Sequence, residues 1–301
     1  MKEAFIERTF SAANVTMIQR INRVLEEYRR QGYRLSLRQL YYQLVARDII
    51  PNSLRSYKNI GNLVSNARQA GLIDWGMIED RNRDTNIPGH WNSPGEIVTA
   101  AAQQFRIDKW REQPYHIEVM VEKDALSGVL VPVCRELDIG ITANKGYCSS
   151  STMYEIGKRI DEKRSLGKKI CVLYLGDHDP SGIDMTRDVR ERLEMYSRLH
   201  SIEVDRLALN WEQIEIWQPP ENPAKETDSR FFNYARQFGE SSWELDAVEP
   251  AQLAELVKNA VMERRDAELW NDAWVVEEHM RSLLFEFAKK YDDLGDEEGE
   301  R

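Results

Sequence analysis

Apolar positions in the first third of the chain recur at helical spacing. Val15, Ile18, Ile21, Val24, Leu25 and Tyr28 fall at three- and four-residue steps, which predicts a helix over 12–31 that Gly32 stops. Ser36 is placed to cap a second helix, LRQLYYQLVARD, which Pro51 closes. Asn52 or Ser53 opens a third, SLRSYKNIGNLVSNARQAG, ending at Gly71. LIDWGMIEDRNRD then predicts a short strand, a turn and a second strand. NIPGHWNSPGE reads as a linker and residues 95–112 as a connecting helix.

From residue 115 the pattern changes to strands alternating with helices. HIEVMVE (116–122) and KKICVLYLGD are apolar strands, GITANKG and IEVDRLALN are further strands, and amphipathic helices lie between them. This alternation predicts an α/β domain with a mostly parallel sheet covered on both faces. Ligands of such sheets gather at the carboxyl ends of the strands. WQPPENPAKETDSR reads as a loop, and SSWELDAVEPAQLAELVKNAVMERRDAELW as a short strand and a helix. Residues 272–290 read as a last helix, with Trp270 and Trp274 as C-terminal core or dimer contacts. The chain thus divides into an N-terminal domain (1–90), a linker and connecting helix (91–114), an α/β domain with a helical extension (115–290) and a frayed acidic tail (291–301).

The chain has 301 residues, 42% apolar and 31% charged, which excludes a disordered or membrane-embedded protein. MKEAFIERTF lacks the apolar stretch of a signal peptide, and Cys134, Cys148 and Cys171 lack metal-ligand spacing, so a cytoplasmic location is expected. The net charge of −10 argues against a generic polyanion binder, yet it is unevenly spread. The balance is +5 over residues 1–110 and −15 over 111–301. In 16–73 ten Arg and Lys face only Glu26, Glu27 and Asp48. That asymmetry reads either as a solvated helical face or as a nucleic-acid-binding domain joined to an acidic domain able to hold metal. Three helices followed by a small hairpin is the element order of a winged helix, although the same order occurs in domains that only pack against proteins. Arg34, Arg55, Lys58 and Arg68, with Lys145 in the NKGY turn, are the candidate phosphate contacts.

Three acidic residues lie where strands end. Glu122 closes HIEVMVE, and Asp177 and Asp179 follow the strand of KKICVLYLG. Neighbouring strand ends would bring the three carboxylates into one crevice, a donor set suited to Mg2+. Alternation would send Asp177 and Asp179 to one side and His178 away. VEKDAL and VLYLGDHDPSG, 55 residues apart from Glu122 to Asp177, resemble the two halves of the Toprim signature. The resemblance implies phosphodiester chemistry dependent on Mg2+, with Mn2+ as a substitute, and Glu122, Asp177 and Asp179 as the metal ligands. Lys123 stands where Toprim proteins often have glycine. Glu244 and Asp246 in SSWELDAVEP are further acids, readable as additional ligands or as acids near a helix start at Pro250.

LSLRQLYYQLV resembles the catalytic winged-helix segment of type IIB topoisomerase A subunits and of the meiotic double-strand-break transesterase. Arg38 stands four residues before Tyr42, and Tyr41 is the preceding aromatic. Carried over, Tyr42 is the nucleophile and Arg38 its active-site partner. A phenol of pKa near 10 needs such a cation, and the i, i+4 spacing puts the two on one helix face. The resemblance further implies a nucleoid-associated homodimer that breaks both strands of duplex DNA, each tyrosine working against the other chain's metal site. It also implies an ATPase B-type subunit, which this sequence does not encode. The match is to the compact, stand-alone form carried by mobile elements. Two rival expectations are a hydrolytic Toprim nuclease with a structural Tyr42, and a non-catalytic DNA-binding or assembly protein.

Overall fold

The computed structural model describes residues 1–78, 88–144, 146–199 and 202–299. Three helices open the chain: α1 (Ala12–Arg30), α2 (Leu37–Ala46) and α3 (Leu54–Gln69). Ser11, Ser36 and Ser53 cap them, Ser36 through a reciprocal capping box with Gln39. Their shared core takes Ile21, Leu25 and Tyr28 from α1, Leu40 and Leu44 from α2, and Ile60 and Val64 from α3. Each such side chain contributes about 1.5–3 kcal/mol on burial.

The hairpin expected after α3 does not form over its described half. Asp74 accepts a hydrogen bond from Gly76 N (2.8 Å) and winds Trp75–Met77 into a 3-10 turn. Ile78 makes one isolated parallel bridge to Leu35. The second expected strand falls on residues 79–84, outside the described residues. Helix α4 (Pro94–Gln104) is shorter than the 95–112 expected. Ile107 N and Lys109 N donate instead to the distant carboxylates of Glu277 and Asp138, so tertiary partners take the donors a longer helix would use.

The α/β domain is built on β1 (Tyr115–Val121), α5 (Ser127–Glu136), β2 (Gly140–Ala143), α6 (Ser150–Ser165), β3 (Lys169–Leu175), α7 (Pro180–Ser197) and β4 (Glu203–Ala208). Its four strands are all parallel in the order β2-β1-β3-β4. Two helices that the sequence pattern did not indicate follow, α8 (Trp211–Trp217) and α9 (Phe231–Phe238), with the two-residue strands β5 (Asn222–Pro223) and β6 (Ser241–Ser242) paired around α9. Helices α10 (Pro250–Met262) and α11 (Ala267–Gly299) complete the chain, so the last helix runs beyond the expected 272–290 and into the stretch expected to fray.

Helices α5 and α10 cover one face of the sheet, and α6 and α7 the other. The chain leaves β1 toward β2 on one side and returns past β1 to β3. The loops after β1 and β3 therefore diverge to opposite faces and leave a crevice at their carboxyl ends. Val121 and Leu175 are in register, so Glu122 and Asp177 emerge side by side. Among the described residues no helix is long and apolar enough to cross a membrane.

Candidate active site

The crevice holds Glu122, Lys123 and Asp177. Glu122 Oε2 accepts from Asp177 N (2.9 Å), which ties the two strand ends together. Asp177 is buried; its Oδ1 accepts from Leu245 N (2.8 Å) and its Oδ2 pairs with Lys123 Nζ (2.9 Å). The 3-10 turn Leu245–Ala247 thus folds over the strand ends and brings Glu244 and Asp246 with it. Lys123 Nζ lies 2.8 Å from Glu244 Oε2 and 3.3 Å from Asp246 Oδ2. One ammonium therefore sits among three carboxylates.

Helix α2 docks on this turn. The Arg38 guanidinium is ion-paired to the Glu244 carboxylate and lies 3.4 Å from Asp246 Oδ2. Arg38 and Glu244 come from positions 206 residues apart. Tyr28 Oη to Glu249, and Asn52 Nδ2 to Glu221 O (2.7 Å) and Asn222 Oδ1 (2.8 Å), fasten the same contact. Between α2, α3 and the strand ends lies a cleft of about 710 Å³. Arg38, Arg68 and Lys123 line it alongside Glu122, Asp124 and Asp246.

Tyr42, one turn beyond Arg38, does not line this cleft. It is 4% exposed, packs with Tyr41 and Ala247, and accepts a hydrogen bond from Asn222 Nδ2 (3.1 Å). Burial first, and Glu244 second, raise its pKa above the ordinary phenol value. The Arg38 guanidinium stands 6.0 Å from its ring centroid. Arg38 therefore reaches acids of its own chain.

Asp179 is occupied elsewhere. The strand ends at Leu175, so alternation does not continue through 177–179. Pro180 opens α7, and Asp179 caps it, accepting from Gly182 N (2.6 Å) and Ser181 Oγ (2.9 Å). A Cβ at Gly182 would meet the Asp177 carbonyl oxygen at 2.3 Å, which explains the glycine of the PSG turn. His178 does point away: it is buried among Trp211, Tyr234, Phe238 and Trp243, with Nδ1 2.8 Å from Tyr234 Oη. Burial, helped by Arg206, pushes it down to about 4, so the ring is neutral at pH 7.

Arg34, Arg55 and Lys58 are exposed, the last two on α3. Arg68 stacks on the Trp75 ring at 4.6 Å and donates to Trp75 O (2.7 Å). Lys145 lies outside the described residues. Sequence reasoning gave no role to Asn222, which sits 180 positions from Tyr42 and has no motif around it.

The chain matches no protein-family model and no curated protein.

Among the described residues no three His, Cys, Asp or Glu side chains are gathered at metal-ligand spacing, since the Lys123 ammonium stands between the carboxylates. Charge and donor chemistry nevertheless suit a divalent cation. Among the described residues Glu122, Asp177, Glu244 and Asp246 gather around Lys123 and Arg38, and Arg206 spends its donors on the carbonyls of Gly176 and Asp177 and on other neutral acceptors. Among these described groups the carboxylates outnumber the cations. Asp246 is 1% exposed; its Oδ2 is ion-paired with Lys123 and Arg38, and among the described residues neither of its oxygens has a hydrogen-bond partner. Burial, then Asp177 and Asp179, hold Glu122 well above the usual carboxylate range, and burial does the same to Asp177 against the pull of Lys123.

These shifts fix an expected pH dependence. A carboxyl whose folded pKa is raised contributes stability that is present below about 4.5 and lost as pH rises through about 7. A divalent cation binds the ionised form and reverses that loss. The Tm gained from 10 mM Mg2+ is expected to grow from pH 5.5 to pH 8 in scanning fluorimetry and to shrink in Asp177→Asn. A gain independent of pH, or intact in Asp177→Asn, would remove Mg2+ from this site.

Proposed function

We propose that the chain cleaves duplex DNA by Mg2+-dependent tyrosine transesterification, in the manner of a type IIB topoisomerase A subunit. In this reading the N-terminal helices are a winged-helix domain and the α/β domain is a Toprim domain. One observation carries it. Arg38, four residues before Tyr42, is ion-paired with Glu244 beside Lys123 and Asp177, so two motifs far apart in sequence meet at one crevice.

In the proposed reaction a DNA phosphate enters the cleft between α3 and the strand ends. Exposed Arg55 and Lys58 hold the flanking backbone, and binding weakens with salt. Arg38 and Lys123 offset charge on the phosphate and on the phenolate as it forms. Tyr42 Oη lies outside this cleft and is held by Asn222, so the reading requires that contact to open before Oη forms a bond to phosphorus while the bond from phosphorus to the 3′-oxygen breaks. The phenol proton is balanced by the proton gained at the 3′-oxygen, leaving a phosphotyrosine and a free 3′-hydroxyl. Asp177, Asp246 and Glu122 would hold Mg2+, which when bound supplies charge stabilisation at the leaving oxygen. Because Arg38 meets the acids of its own chain, each chain carries a full set of these groups. A double-strand break then needs two chains.

The covered phenol of Tyr42 favours a second reading, hydrolysis by an activated water at the same acids. Denaturant-stopped reactions on labelled plasmid with Mg2+ or Mn2+ separate the two. Wild type is expected to yield protein-linked DNA and Asp177→Ala none. Cutting without linkage would establish the hydrolytic reading. Intact binding with no cutting under either metal would leave a non-catalytic DNA-binding protein.

A further inference from the structure

A second cleft, of about 460 Å³, lies at the amino ends of the strands, opposite the crevice. Helix α5 finishes there at Glu136, just before β2, and α10 finishes beside it, where Arg264 pairs with Glu203, the first residue of β4. The turn after α4 and the start of α11 close the remaining sides. No residue of this cleft lines the one between α2, α3 and the strand ends.

The walls are basic, although residues 111–301 carry a balance of −15. Lys109 and Arg281 are neutralised by Glu277 and Glu278. Arg106, Arg135, Lys258 and Arg265 have no ion pair among the described residues, and only Glu136 remains on these walls to offset them. Arg106 spends one donor on Arg135 O (2.8 Å), at the end of α5. Arg265 lies on the Trp270 ring, 4.7 Å from its centroid, and its buried Nε meets no acceptor. Like charges gathered in one cleft repel, and a bound anion removes that cost.

Trp270 and Trp274 stand one turn apart on α11 and have different fates. Trp270 packs against the core of the α/β domain and beneath Arg265. Trp274 lines the cleft, is 49% exposed, and has no ring or cation stacked on it among the described residues. Guanidinium forks match phosphate oxygens, and an open indole face is a platform for a nucleobase. The volume lies within the roughly 300–1,000 Å³ of small-ligand sites. A run of carboxylates would use the cations and leave Trp274 bare.

We propose that this cleft binds a nucleoside di- or triphosphate, with its phosphates among Arg135, Lys258 and Arg265 and its base on Trp274. The site is independent of the cleavage reaction proposed above and stands or falls separately from it. Calorimetric titration of the full chain with ATP in EDTA tests it, since EDTA removes any contribution from a metal. Wild type is expected to bind. Trp274→Ala should weaken ATP about ten-fold, through the lost stacking, and leave inorganic tripolyphosphate unchanged. Arg135→Gln/Lys258→Gln should weaken both by roughly 100-fold with unchanged circular dichroism, because both side chains are exposed and have no ion pair to lose. Asp177→Asn, in the crevice, should bind ATP as wild type does. No binding of ATP at millimolar concentration would overturn the proposal, as would equal affinity in Trp274→Ala or a loss in Asp177→Asn. Displacement of ATP by a short single-stranded oligonucleotide at lower concentration would overturn it also, giving the cleft to nucleic acid.

Discussion

Tyr42→Phe is expected to lower covalent protein–DNA linkage by on the order of 10⁴-fold or more, since it removes the only atom proposed to attack phosphorus. Its cost in stability is small. The ring keeps its packing against Tyr41 and Ala247, and Asn222 loses one acceptor but keeps its contact with Asn52. One such hydrogen bond contributes about 1 kcal/mol. Duplex affinity should be unchanged, because the exposed basic residues of α3 are untouched. The raised phenol pKa adds a second signature. Linkage by wild type should quicken as pH rises toward the phenol range, with burial acting against ionisation and Arg38 favouring it. The decisive comparison is linkage against binding for the same protein sample. Linkage retained by Tyr42→Phe would transfer the nucleophile to another group, and loss of binding together with linkage would mean that the substitution had disturbed α2.

The sequence pattern read the helices of the N-terminal domain and the parallel sheet because both are written in long periodic segments. Ile18, Ile21 and Leu25 mark α1, and the uninterrupted run in KKICVLYLG marks a strand buried on both faces. Helices α8 and α9 are too short for a period to establish itself over them. The wing was misjudged over its first half because Asp74 bonds locally to Gly76, a choice of one side chain that no alternation reveals. Within the site, strand ends located Glu122 and Asp177. The chemistry around them depends on contacts between distant segments. Arg38 meets Glu244 only because α2 docks on a turn two hundred residues later, and Asn222 covers Tyr42 through the same docking. Asp179 carries the sequence mark of a ligand and of an N-cap alike; Pro180 decides for the cap.

Lys123→Met tests the electrostatics on which the whole crevice rests. Among the described residues the ammonium is the nearest cation to Asp177 and Asp246, which are 5% and 1% exposed, and it shares Glu244 with Arg38. Burial disfavours its charge, yet Asp177, Asp246 and Glu244 together raise its pKa above the ordinary lysine value. It is therefore charged across the neutral range, and its contribution persists until pH passes the usual lysine range. Methionine keeps the aliphatic stem, ends one atom short of the ammonium and removes the charge. Breaking a buried pair in this way costs about 3–5 kcal/mol, because the partner carboxylates are left without compensation. For a chain of this size that is a fall in Tm of roughly 10 °C. The deficit should shrink as pH falls toward 5, since protonated carboxyls no longer need the cation. It should shrink also in Mg2+, since a divalent ion can enter the space that the ammonium vacates. The Tm gain from Mg2+ at pH 8 is then larger in Lys123→Met than in wild type. Equal stability of the two proteins at pH 8 would mean that the carboxylates are neutral already, and the charge argument for a cation at this site would fall with it. A large loss that Mg2+ does not repair would separate the two roles, leaving Lys123 as the fixed cation of the crevice and the metal without a place among these acids.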